Sequence, residues 1–205
     1  MYTPPSFRED RSEVLHSIIR QHSFGTVVSQ RDGAMTASHL PFLLRSEEGT
    51  SGVLLGHMAR ANSQWQEFQS GAEVLVIFQG AHGYISPSWY ETREAVPTWN
   101  YETVHAYGIP QLIEDPATVR ALLDATVAAY EAGMPKPWST ERISGELVEK
   151  LQRAIVGFEI RITRLEGKRK LSQNRSEVDQ RGVLSGLRST GDSQLAQLME
   201  EVLGL

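Results

Sequence analysis

The sequence predicts a mainly β (α+β) protein, a β-barrel or curled antiparallel sheet decorated by helices. Around six extended runs follow one another across short turns, and helical patterns cluster at the ends and between the last strands. No regular βαβα alternation occurs and no GxGxxG follows a strand, which argues against a doubly wound nucleotide-binding fold. With 205 residues, 40% of them hydrophobic, the chain can build a real core. We read residues 1–205 as one domain, with 176–205 a helical C-terminal extension packed on it.

Phe7–His22 carries Val14, Leu15, Ile18 and Ile19 at helical spacing. Phe24–Ser29 is rich in β-branched residues, Arg31-Asp32-Gly33 makes a turn, and Met35–Leu44 resumes extended structure. Ser51–Met58 is a further strand, after which Asn62 or Ser63 can cap a short helix through Phe68. Glu73–Gln79 continues past Gly80 to Ile85, and Ser86–Pro97 is a proline-bounded aromatic connection before a strand at Thr98–Ile113. Asp115-Pro116 is a helix start, an N-cap followed by proline at the first helical position. Gly133 and Pro135 end that helix, and another is predicted from about Thr140 to Arg153. Ile155–Leu165 alternates as the last strand, Gly182 interrupts any helix over Ser176–Leu187, and the tail from Asp192 is amphipathic.

The formal net charge of -5 lowers the expectation of a dedicated nucleic-acid binder, which usually presents a basic face. The absence of Cys excludes disulfides, thiolate metal sites and cysteine nucleophiles. No apolar run reaches the roughly 18 residues that span a bilayer. The first ten residues lack the basic-then-apolar pattern of a secretory signal, so a cytoplasmic location is expected.

Two segments carry the chemistry. Gly167–Arg175 reads GKRKLSQNR, two Lys and two Arg beside hydrogen-bonding side chains, directly after a strand. Cations neutralise a phosphate, while Ser172, Gln173 and Asn174 offer directed donors. Gly56–Asn62 reads GHMARAN and could bring Arg60 and a helix start to the same anion. The plainer readings are a solvated basic turn and a surface arginine. No HExxH or other tight ligand spacing occurs, so no metal site is expected, and no GxSxG or other nucleophile grouping supports a catalytic residue. Trp89, Tyr90, Trp99 and Tyr101 are expected to pack in the core or an interface, with a wall of a ligand pocket as the alternative.

Several long segments, in order, resemble the PaiB family: MYTPPSFRE, SHLPFLL at Ser38–Leu44, GHMARAN, VIFQGAHGYISPSWY at Val76–Tyr90, VPTWNYETVHAYG at Val96–Gly108 and KLSQNR at Lys170–Arg175. The resemblance implies an FMN-binding split β-barrel of the pyridoxamine phosphate oxidase type with peripheral helices, homodimeric, with the flavin at the subunit interface. It also implies an FMN-binding negative transcriptional regulator, associated in bacilli with repression of sporulation and degradative-enzyme genes. DNA enters as a partner through this resemblance only.

Mapped onto the chain, Ser38, His39 and Leu40 would form the strand facing the flavin ring. His57, Met58, Ala59, Arg60 and Asn62 would form the phosphate turn. Lys170, Ser172, Gln173, Asn174 and Arg175 would close the site. The alternative is an oxidoreductase acting on a small molecule through flavin, or through haem with one of the six histidines as axial ligand.

Overall fold

A two-residue hairpin shows how local chemistry sets the register. Asp32 and Gly33 both take positive φ, 52° and 82°, the conformation that matches a tight turn to strand twist. They join β2 (Phe24–Arg31) to β3 (Ala34–Pro41), which pair antiparallel from Arg31↔Ala34 to Phe24↔Pro41. The computed structural model describes residues 1–92 and 94–205.

The remaining strands are β1 (Arg8–Glu9), β4 (Leu43–Arg45), β5 (Val53–Ala59), β6 (Val74–Ile85), β7 (Thr98–Ile113) and β8 (Ile155–Lys170). Their hydrogen-bonded order is β3-β2-β6-β7-β8-β5-β4, with β1 on β8. The helices are α1 (Ser12–Gln21), α2 (Gln64–Glu67), α3 (Pro116–Glu131), α4 (Gly145–Arg153), α5 (Glu177–Thr190) and α6 (Ser193–Leu203).

The chain forms two compact units. The first comprises Met1–His22, Phe78–His105 and Glu166–Leu205, and the second Ser23–Ile77 and Ala106–Leu165. In the first, Ile85, Leu171, Val183, Leu184, Leu187, Leu195 and Met199 form a buried cluster to which both C-terminal helices contribute. Burying each Leu contributes about 2 kcal/mol. In the second, Phe158 packs edge-on against Phe42 and Phe68.

β7 has the bounds read from the sequence, and α3 starts as expected, with the Asp115 carboxylate accepting from the Thr118 amide at 2.9 Å. Four expectations need correction. The first helix begins only at Ser12, because Arg8 and Glu9 pair with Lys168 and Gly167 instead. The run Met35–Leu44 breaks at Phe42, whose ring is buried and whose amide donates to the Ser23 carbonyl. The helix expected from Thr140 starts at Gly145, where the Ser144 hydroxyl accepts from the Leu147 amide. α5 runs unbroken through Gly182. A Cβ there would lie 2.0 Å from the Trp89 carbonyl oxygen, and one at Gly186 would lie 2.2 Å from the Trp89 ring. The two glycines, one turn apart, form a trough for Trp89 rather than a break in the helix.

Candidate functional site

β8 extends five residues beyond the expected Leu165, so Gly167–Lys170 is strand and not turn. Alternation then separates the cations. Arg169 points to the buried side, with Nε 2.7 Å from the Glu102 carboxylate, an ion pair too far out of line to count as a hydrogen bond. Its charge is already matched, so it is not one of the cations left for an anion.

Lys168 and Lys170 take the opposite face. The Lys168 ammonium donates to the Tyr2 carbonyl at 3.0 Å and stands 5.3 Å from the centre of the Tyr101 ring. The Lys170 ammonium donates to the Trp99 carbonyl at 2.7 Å and to the Thr98 hydroxyl. Burial, then the nearby charges of Lys168 and Arg175, push it below the usual lysine value. The Arg175 guanidinium lies 4.7 Å from the centre of the Tyr90 ring, whose buried hydroxyl has no hydrogen-bond partner among the described residues. Among the described residues no carboxylate pairs with Lys168, Lys170 or Arg175.

Ser172 and Gln173 build the turn that presents these cations. Ser172 holds a positive φ of 68°. Its hydroxyl accepts from the Asn100 amide at 2.9 Å, and its carbonyl accepts from Gln180. The Gln173 side chain accepts from the Leu171 amide and donates to the Arg169 carbonyl, so both ends of its amide are engaged. Asn174 is exposed.

The second segment lies in the other unit and is built differently. Asn62 donates to the Ser38 hydroxyl at 2.8 Å and accepts from the Gln64 amide, joining β3 to the start of α2. α2 spans only four residues, too few for a useful macrodipole. Arg60 donates from Nε to the Arg153 carbonyl (3.0 Å) and from Nη2 to the Ile155 carbonyl (2.8 Å), capping the end of α4. Met58 is core. His57 is half-buried, and burial lowers its pKa so that it is neutral at pH 7. His39 is exposed with its ring 6.4 Å from Phe24, Ser38 and Leu40 are half-buried on the other face of β3, and Ala59 is exposed at the end of β5.

Residues 1–164 match a family model described as "Putative FMN-binding domain". The chain is 37% identical to the Bacillus subtilis protein named protease synthase and sporulation protein PAI 2, over 99% of this chain and 98% of that one. The chain belongs to the PaiB family.

An uncharacterized Emericella nidulans protein is 30% identical to this PaiB-family chain, over 93% of it and 92% of the fungal protein. Two solved structures share the fold at a TM-score of 0.61. One is the flavocytochrome Anf3 of Azotobacter vinelandii, 15% identical over 80% of this chain and 69% of that one. The other is an FAD- and heme-binding protein of Mycobacterium smegmatis, 17% identical over 80% and 73%. The fold of the PaiB-family chain is thus that of the split-barrel flavoproteins.

In this segment the sequence-derived residues begin at Lys170 and omit Lys168. Continuing the β8 alternation three residues past Leu165 would have found it. The aromatic quartet divides: Trp89 and Tyr90 pack in the first unit's core, whereas Trp99 is 54% exposed.

Proposed function

We propose that this chain is an FMN-binding negative regulator of transcription, a cytoplasmic homodimer that grips the FMN phosphate with Lys168, Lys170 and Arg175. What supports the phosphate assignment is the cluster itself: Lys168 buried, Lys170 partly buried and Arg175 nearby, without a carboxylate partner among the described residues. An anion relieves their mutual repulsion, and charge-assisted bonds are the strong ones. FMN, once bound, supplies redox chemistry. The chain's own part is to hold the anion and to aim Lys170 Nζ, which donates to the Thr98 hydroxyl and the Trp99 carbonyl. Ser172 and Gln173 set the turn. Ser38–Leu40 and His57–Asn62 frame the fold on this reading, because Arg60 is already committed to two carbonyls.

The regulatory role rests on the family and on the near full-length likeness to a protein named for protease synthesis and sporulation. No described helix is long and apolar enough to cross a membrane. The test has two parts. Purified protein should titrate with FMN and prefer it to riboflavin by about tenfold or more, the worth of one charge-assisted phosphate contact. Equal affinity for both would overturn the phosphate assignment, and a Soret band with no flavin uptake would favour the haem alternative. Deleting the gene should raise specific transcripts, and the protein should retain DNA at physiological salt or be traced to a DNA-binding partner. No transcript change would sink the regulator reading.

A further inference from the structure

We infer that the flat ring of the bound flavin stacks on Trp99, on an exposed sheet face that also carries His82, Tyr84 and Tyr101. This assignment rests on the phosphate reading above.

β6, β7 and β8 are successive in the sheet, and within the first unit their alternating positions take opposite faces. Gly83 and Ile85 on β6, Asn100 and Glu102 on β7, and Arg169 on β8 with Leu171 just after it are buried. The opposite positions are His82 and Tyr84, Trp99 and Tyr101, and Lys168 and Lys170, of which Lys168 alone is buried. Trp99 is 54% exposed and Tyr84 47%. Leaving two large rings side by side in water on a sheet is a costly arrangement that marks a binding surface.

The rings are ordered against one another. His82 stacks on Trp99 at 6.5 Å between centroids with an interplanar angle of 28°, and Tyr84 meets the same indole edge-on at 6.2 Å. The indole thus meets two rings of β6 and is still 54% exposed. His82 is itself oriented by a hydrogen bond between Nδ1 and the Gly80 carbonyl.

Charge complementarity chooses the occupant. Lys170 donates to the Trp99 carbonyl, so the anion-binding cluster and the aromatic platform share a residue. None of the six residues named on this face is acidic. A surface with π-faces beside unmatched cations suits a ligand with a flat ring at one end and a phosphate at the other. FMN has that shape of charge. A second copy of this chain would have to bring carboxylates to the same cations.

The test uses full-length Trp99→Leu, Trp99→Phe and Lys170→Met, each checked by circular dichroism for native folding. Flavin emission and affinity are read for both FMN and riboflavin. Wild-type protein should quench bound FMN. Trp99→Leu should restore emission and weaken both flavins equally, by about five- to a hundredfold, the range for one stacked ring. Trp99→Phe should show a smaller change. Lys170→Met should weaken FMN alone.

Unchanged emission and affinity in Trp99→Leu, with Lys170→Met still weakening FMN, would overturn the ring assignment and leave the phosphate assignment standing. The reverse pattern would remove the phosphate assignment and keep the ring on Trp99. A shift of oligomeric state in Trp99→Leu with flavin affinity intact would assign the face to a contact between copies and overturn the proposal.

Discussion

Two segments of this chain look alike on paper and differ in what their cations do. Both Gly56–Asn62 and Gly167–Arg175 begin in a strand, turn, and precede a helix, and each contains arginine. In the first, Arg60 is committed to the carbonyls of Arg153 and Ile155, closing the end of α4. In the second, Arg169 is matched by Glu102, but Lys168, Lys170 and Arg175 have no described counter-charge. A cation at a strand-to-helix turn is thus only half a phosphate site. The other half is that nothing in the protein already satisfies it.

The largest effect should come from the matched cation. Arg169→Met leaves the Glu102 carboxylate buried without its guanidinium, a change worth about 3–5 kcal/mol. Urea denaturation should show it, and a loss below about 1 kcal/mol would mean that Glu102 finds another partner. Next comes Arg175→Met, which should weaken FMN binding by about 1.5–3 kcal/mol with little change in stability, read by titration and thermal melting. Arg60→Met should do the opposite. Its exposed guanidinium and two carbonyl bonds are worth about 1 kcal/mol of stability, with no effect on FMN.

The smallest effect is one of slope. Asp179 accepts from the Thr92 hydroxyl and from the amides of Thr92 and Glu91, tying α5 to the connection after β6. These bonds, the Thr92 hydroxyl first, hold its pKa below the ordinary 3.8. A depressed carboxylate stabilises the fold above that ordinary value and loses the contribution as pH falls through the folded value. The melting difference between wild type and Asp179→Asn should therefore be constant near neutrality and shrink below about pH 4. A difference that does not change with pH would assign the effect to packing.

Much of this was legible in the sequence because it is local. Thr98–Ile113 was found to the residue, Asp115 caps the helix expected of it, and Asp32-Gly33 turns the chain. The misses are long-range. Arg8 and Glu9 leave the first helix to pair with residues more than 150 positions away, which no periodicity announces. Gly182 looks like a helix breaker until Trp89 is found packed against it and Gly186.

At the candidate site, composition alone misjudges the geometry of Gly167–Arg175. GKRK reads as a turn by composition, yet it continues β8, and only a strand puts Lys168 and Lys170 on one face and Arg169 on the other. That Ser172 and Gln173 build the turn follows from bonds to Asn100, Gln180, Leu171 and Arg169, which residue type alone does not reveal.

The measurement that tests the central claim most directly is FMN affinity in Lys170→Met and Arg60→Met, side by side with wild type at neutral pH. A phosphate held by Lys170 gives a roughly ten- to hundredfold loss in the first and wild-type affinity in the second. An intact Lys170→Met with a crippled Arg60→Met would place the phosphate at the other turn and contradict it.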